Sequence, residues 1–385
     1  MEMKRPIYLD HHATTPCDPR VVEVMIPFLN LRFGNPSSAT HFFGHEADDA
    51  VQHARTQIAD LIGASPEEII FTSGATESDN TALIGTFEAP FQRGKHFITS
   101  AIEHKAVIET INWITERGGN VTWLPVEPDG YITPAAVKAA IRPDTALVSV
   151  MHANHEVGTI NPIAEIGEIC RSSGVLFHTD AAQSCGKLPI DVKNISADLI
   201  SISAHKLYGP KGIGALYVRN RIPRVSITPL LHGGGQERGL RSGTLPTHQI
   251  VGFGKAAEIA RHELHTEGVR IAELRDFLQD SILQNLPDIQ VHGRLSNRLP
   301  GNLNIGFLGV KGNSLIESLE GMAVSNGSAC TSGSFESSYV LRHLGIDEQT
   351  AFSSLRFGVG RFNTLEEMEY AASSVIQAVR KLREH

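Results

Sequence analysis

The chain has 385 residues, 41% of them apolar, and a formal net charge of −8. That is enough apolar material for two cores, and the scattered Lys and Arg residues form no basic face for nucleic acid. Four cysteines without a C-x-x-C pair argue against a disulfide framework or a zinc site, and no run approaches the roughly 20 apolar residues of a membrane span. The segment Met1-Glu2-Met3-Lys4-Arg5-Pro6-Ile7-Tyr8 carries no signal-like apolar stretch, so a cytoplasmic protein is expected.

In chain order, Ile69-Ile70-Phe71-Thr72, His96-Phe97-Ile98-Thr99-Ser100, Ala146 to Val150, Val175 to Thr179 and Leu199 to Ser203 read as buried strands. Helical patterns cover Glu103 to Arg117, Pro134 to Ile141 and Ile163 to Ser172. This alternation predicts an α/β layer with a mostly parallel sheet, which binds ligands at the carboxyl ends of its strands. From Val251 to Asn285 a long helical pattern follows, then short strand candidates at 301–307 and 354–357 and an amphipathic helix over Leu365 to Arg383. A large domain is therefore expected over residues 14–260. A smaller α+β domain is expected from residues 1–13 and 261–385.

Chemistry gathers at the strand ends. Ser73-Gly74-Ala75-Thr76-Glu77-Ser78 follows a strand and opens a helix, which suits either a phosphate or an ordinary N-cap. His104 starts a helix after a strand, where an imidazole can carry protons near neutral pH. Asp180 ends an apolar run and is either a helix N-cap or a buried carboxylate that needs a positive partner. Lys206, in Ser203-Ala204-His205-Lys206, also ends an apolar strand, whereas Lys187, Lys193 and Lys211 read as solvated. A lysine amine can link to an aldehyde, and an aspartate can hold a pyridine nitrogen protonated. Together they are what pyridoxal phosphate needs from a protein. Arg356 can clamp a carboxylate or form a structural ion pair. His41 and His45 have metal-ligand spacing but lack a third ligand nearby, so they read as surface residues and no metal is expected.

Cys330 lies in Ser325-Asn326-Gly327-Ser328-Ala329-Cys330-Thr331-Ser332-Gly333-Ser334, among small polar residues rather than the apolar neighbours of a structural cysteine. An electron sink and a thiol on such a segment point to chemistry on a sulfur-bearing amino acid.

These residues together resemble the NifS/IscS-type cysteine desulfurases of the class V aminotransferase family. The resemblance runs through Tyr8-Leu9-Asp10-His11-His12-Ala13-Thr14-Thr15-Pro16, the turn at residues 71–80, Glu103-His104-Lys105 and Ser203 to Gly212. It continues through His232-Gly233-Gly234-Gly235-Gln236-Glu237-Arg238-Gly239, Arg241-Ser242-Gly243-Thr244 and the Cys330 segment. It implies the aspartate-aminotransferase fold (PLP fold type I) and a homodimer with shared active sites. The implied activity releases alanine from L-cysteine and leaves a persulfide on Cys330 for a sulfur-acceptor protein, in iron–sulfur cluster or thio-cofactor synthesis. Selenocysteine lyase is the nearest alternative reading, and a docking platform in sulfur-transfer assemblies is the alternative from another class.

Carried over residue by residue, Lys206 would anchor the cofactor and Asp180 would face its pyridine nitrogen. Gln183 would touch its phenolic oxygen and His104 would stack on its ring. Ala75, Thr76, Ser203 and His205 would hold its phosphate, and Thr244 would reach the phosphate of the neighbouring subunit. Arg356 would bind the substrate carboxylate. The chain departs from the pattern at His155, where the family commonly has asparagine beside the cofactor or substrate. An imidazole there would give the site a pH dependence near neutrality, unless desolvation keeps it uncharged. The family's longer tail is also replaced by an end at Lys381-Leu382-Arg383-Glu384-His385, which leaves the acceptor open.

Overall fold

The computed structural model describes residues 6–90, 93–222, 224–326 and 337–384. Its main element is a seven-stranded sheet in the order Ile69–Thr72, Gly214–Val218, Leu199–Ser203, Leu176–Asp180, Thr145–Ser149, His96–Ser100, Asn120–Leu124. Gly214–Val218 runs antiparallel to both of its neighbours, and the remaining pairs are parallel. Successive side chains of a strand point to opposite faces. Ile69 and Phe71 accordingly join an apolar core with helices Phe42–Ile62 and Ile163–Ser173, while Ile70 joins another with helices Ala75–Phe87 and Lys105–Glu116. Burial on both faces explains why these strands are continuous apolar runs.

A separate apolar cluster forms around a three-stranded antiparallel sheet, Ser354–Gly358, Asn302–Phe307 and Ile289–His292. A short parallel pair, Ile7–Tyr8 with Met322–Ala323, returns the N-terminal segment to this second core. Helix Thr247–Asn285 belongs to both cores: Ile250, Phe253 and Ala257 pack in the first, Ile271, Leu274, Leu278 and Ile282 in the second. We propose that the passage between the two domains falls inside this helix, between Ala260 and Ile271, a few residues beyond the boundary expected from the sequence.

Most expected elements stand within a residue or two of their places. The strand read as Val175 to Thr179 is Leu176–Asp180, so Asp180 is its last residue. Three strands escaped the sequence reading: Asn120–Leu124, Gly214–Val218 and Ile289–His292. Asn120–Leu124 is an edge strand with only its last residue buried, so it lacks the apolar run that marks the others. His41 caps helix Phe42–Ile62 by accepting the Gly44 N–H, and His45 bonds the Ala39 carbonyl. Among the described residues there is no cluster of metal-ligating side chains and no helix long and apolar enough to cross a membrane.

Candidate active site

A cavity of about 410 Å³ opens at the carboxyl ends of the central strands, within the size range of small-molecule sites. Of the residues selected from sequence, Ala75, Thr76, His104, His155, Asp180, Gln183, Ser203, His205, Lys206 and Arg356 all line it. They come from six strand ends or turns spread over nearly 300 positions, and the sheet topology brings them together.

One end of the cavity is built for an anion. Strand Ile69–Thr72 turns through Ser73 and Gly74 into helix Ala75–Phe87. Gly74 has φ 151° and ψ 179°, a region that essentially only glycine occupies. This turn leaves the first N–H groups of the helix facing the cavity with no capping side chain. Glu77 secures it, accepting the Ser73 N–H at 2.7 Å and Arg241 Nε at 2.9 Å. Across the cavity, Ser203 and His205 flank the lysine. His205 Nδ1 bonds Thr14 Oγ1 at 3.0 Å, and burial, with nearby Lys206, Lys211 and Lys187, holds its pKa down at about 4.

The centre of the cavity holds the acid–base groups. Lys206 ends the single turn Ala204–Lys206 that follows strand Leu199–Ser203, and its Nζ donates to the His12 carbonyl. Asp180 accepts the Ala182 N–H at 2.8 Å, so it does cap the turn that follows, yet it also lines the cavity. Burial raises its pKa, against the pull of His104 and Lys206. A protonated pyridine nitrogen placed against it would favour the carboxylate again, so the residue suits the group that the sequence suggests. His104 caps helix Lys105–Glu116 through Nδ1, which accepts the Ala106 N–H at 3.1 Å and leaves the proton on Nε2. Desolvation lowers the His104 pKa, so its ring is neutral.

The remaining side is built from the Met151–Val157 segment and the second core. Asn154 folds that segment, donating to the Ile102 carbonyl and accepting the Glu156 and Val157 N–H groups. It presents His155, whose ring lies edge-on to His104 with centroids 5.6 Å apart. Burial lowers the His155 pKa well below 6.5, reinforced by His104, Arg356 and Lys206. The titration near neutrality expected from sequence is therefore overturned: His155 stays uncharged, as the asparagine of the family would. Between pH 6 and 8 the cysteine-binding profiles of the wild type and of His155→Asn should superimpose. A midpoint near 6.5 present only in the wild type would contradict this.

Arg356 combines both of its sequence readings. Its Nη2 pairs with Asp10 at 2.8 Å and its Nη1 donates to the His155 carbonyl at 3.0 Å, while Nε is buried without a partner beside the cavity.

Two selected residues are placed differently. Thr244 is exposed and does not line this cavity. Its segment is held by Glu237, which takes both Arg55 Nη atoms at 2.8 and 2.7 Å and the Phe71 N–H at 2.7 Å. Cys330 lies outside the described residues. Its described flanks reach the site: Ser325 pairs with Arg356 along the backbone, and Ser338 Oγ donates to Glu156.

Two residues of this region were misjudged or missed. Lys187, read as solvated, has its Nζ buried with no hydrogen-bond partner, and burial lowers its pKa to about 7. Its position in Gly186-Lys187-Leu188-Pro189 carries no apolar signal that distinguishes it from a surface lysine. His12 was not selected, although it lines the cavity and bonds Gln183 through both its ring and its carbonyl. The contact spans 171 positions and leaves no local signature.

A lysine and an aspartate at adjacent strand ends, opposite a helix N-terminus, define a class of enzyme. The chain belongs to the class-V aminotransferase family, whose model matches residues 7–370. Within it, the chain falls among the NifS/IscS-type desulfurases. It is 54% identical over 382 residues to the cysteine desulfurase IscS of Anaeromyxobacter dehalogenans (strain 2CP-C), covering 99% of this chain and 94% of that protein. It is 56% identical over 386 residues to the cysteine desulfurase IscS of Pseudomonas aeruginosa (strain UCBPP-PA14), covering 99% and 95%. A solved NifS-like protein superposes with a TM-score of 0.90 at 37% identity, covering 98% of this chain and 100% of that one. SspA in complex with cysteine superposes with a TM-score of 0.82 at 38% identity, covering 93% and 100%. The fold is accordingly that of the PLP fold type I enzymes expected from the sequence.

Proposed function

We infer that the chain is a cysteine desulfurase that uses pyridoxal phosphate and takes sulfur from L-cysteine. The observation that carries this reading is that Lys206, Asp180 and Arg356 face one cavity that ends in an uncapped helix N-terminus. Bound there, pyridoxal phosphate would supply an electron sink that loosens the Cα proton and the Cβ–S bond of cysteine. The first turn of helix Ala75–Phe87, with Ser203 and His205, would hold its phosphate, and Asp180 its ring nitrogen. Neutral His104 would cover its ring, and Gln183 would donate to its phenolic oxygen.

The chain's own groups do the rest. Lys206 is the amine that can take the Cα proton and return one. Arg356 receives the substrate carboxylate, its Nε already turned to the cavity. Cys330 accepts the sulfur: its thiolate attacks the substrate sulfur, an S–S bond forms, and Cβ departs with the bonding pair. Cβ then takes up a proton, giving alanine. Cys330 is four residues from Asn326, so that tether alone spans at most about 14 Å. The other thiols are poor candidates. Burial pushes Cys170 and Cys185 up to about 12 and raises Cys17 as well.

Thr244, exposed on a segment held in shape by Glu237, is positioned to serve a second copy, and we include a homodimer with shared sites in the proposal. A sulfur-acceptor protein completes it.

The deciding experiment follows alanine and sulfide release from cysteine, with selenocysteine in parallel. Cys330→Ser should keep the visible band of the bound cofactor and the thermal midpoint while desulfurase turnover falls to background. Turnover that persists, with persulfide on Cys17, Cys170 or Cys185 by mass spectrometry, would refute the role of Cys330. Turnover of selenocysteine alone would favour the lyase.

A further inference from the structure

Behind the main cavity lies a second one, separated from it by His12, which lines both. Its volume is about 20 Å³, room for one water molecule. Two buried polar atoms belong to residues on its wall, and neither has a hydrogen-bond partner: Lys187 Nζ and His12 Nε2. His12 is 2% exposed. A buried polar group left unsatisfied costs about 1–3 kcal/mol, so two on one small cavity point to a shared occupant.

The hydrogen bonds around His12 specify what that occupant must do. The His12 carbonyl can only accept, and Gln183 contacts it at 2.9 Å through its amide nitrogen. This fixes the orientation of the amide and places Gln183 Oε1 3.1 Å from His12 Nδ1. Because Oε1 can only accept, Nδ1 must carry the proton. His12 Nε2 is then a bare lone pair, and it needs a donor from the second cavity. Lys187 Nζ is a donor there but makes no direct bond to it. A water molecule accepts from one and donates to the other.

We propose that a water molecule bridges Lys187 Nζ and His12 Nε2, and that Lys187 and His12 are thereby positioning residues for Gln183 in the main site. The chain of bonds runs from Lys187 through water and the His12 ring to Gln183 Oε1. It holds the amide with one N–H on the His12 carbonyl and its second N–H free for the cavity that Gln183 lines. Without the bridge, His12 can move its proton to Nε2. Oε1 would then face a lone pair, and the amide would lose its fixed orientation. The functional half of this proposal rests on the cofactor reading above, because the group that the free N–H would meet is the cofactor's phenolic oxygen.

High-resolution crystal structures and visible spectra of the holoenzyme test it with Lys187→Met, which removes the donor, and Lys187→Gln, which keeps a donor without the charge. The expected density is one ordered peak within hydrogen-bond distance of both side chains in the wild type and in Lys187→Gln, absent in Lys187→Met. The cofactor band should shift in Lys187→Met and stay at the wild-type wavelength in Lys187→Gln. Lack of density between Lys187 and His12 in the wild type overturns the proposal. So does an equal shift in both variants, which would assign the effect to charge alone, or a band unmoved in Lys187→Met. A protein without any cofactor band would defeat the cofactor reading instead, while the density would still decide the bridge.

Discussion

Lys206→Ala is expected to abolish the covalent, borohydride-reducible attachment of pyridoxal phosphate to the protein and to lower cysteine turnover by about 10²–10⁴-fold, the usual effect of losing a positioned proton carrier. The fold should survive, because Lys206 sits on a single turn at the cavity and its recorded bond is one donation to the His12 carbonyl of the same site. Mass spectrometry after reduction gives the result directly. Labelled wild type, unlabelled Lys206→Ala and comparable thermal midpoints would place the cofactor link at this residue. Covalent label on another lysine in the variant would remove Lys206 from its role. Lys187 is the lysine to watch, because it is buried behind the same site and its depressed pKa leaves much of it neutral near pH 7.

The largest stability effect is expected at Arg55. Its guanidinium is buried, pairs bidentately with buried Glu237, donates to the Ile69 carbonyl at 2.6 Å and lies 4.6 Å from the centre of the Phe71 ring. Arg55→Ala would leave the Glu237 carboxylate buried with only the Phe71 N–H among its recorded donors. Breaking one partner of a buried pair costs about 3–5 kcal/mol. Glu237 and Arg238 also adopt positive φ angles of 46° and 57°, a backbone shape that side-chain contacts must maintain. A marked drop in the thermal midpoint of Arg55→Ala is therefore expected, together with faster proteolysis in the 232–244 segment. A midpoint unchanged within a degree would show that the pair contributes nothing net.

The layout of the site was legible because its chemistry follows strands that announce themselves. Leu176–Asp180 and Leu199–Ser203 are buried runs, and the polar residues that close them, Asp180 and the His205-Lys206 pair, stand out against that background. The phosphate-like turn was legible for the same reason, as a Ser-Gly break between a strand and a helix. What escaped depends on partners distant in sequence. Arg55 and Glu237 are 182 positions apart, and His12 and Gln183 are 171 apart. Nothing near either residue of such a pair reports the other. His155 was legible as a departure but its charge state was not, because desolvation is set by how the second core closes over the site.

Helix Thr247–Asn285 gives the molecule a ruler. At about 1.5 Å per residue its 39 residues extend about 58 Å without a break. Its middle stretch is tied at its side by Glu263 to Arg20 and by Glu267 to Arg361. Both cores read their position from this one rod, so its length is a setting rather than a spacer. Deleting one residue between Ala260 and Ile271 would shorten the rod by about 1.5 Å and turn one core by about 100° against the other. Arg356 would then no longer face Lys206. Substitutions along this stretch can be tolerated wherever solvent reaches it, whereas a change in its residue count cannot, and the count is what keeps a carboxylate clamp and an amine from two different cores aimed at the same small molecule.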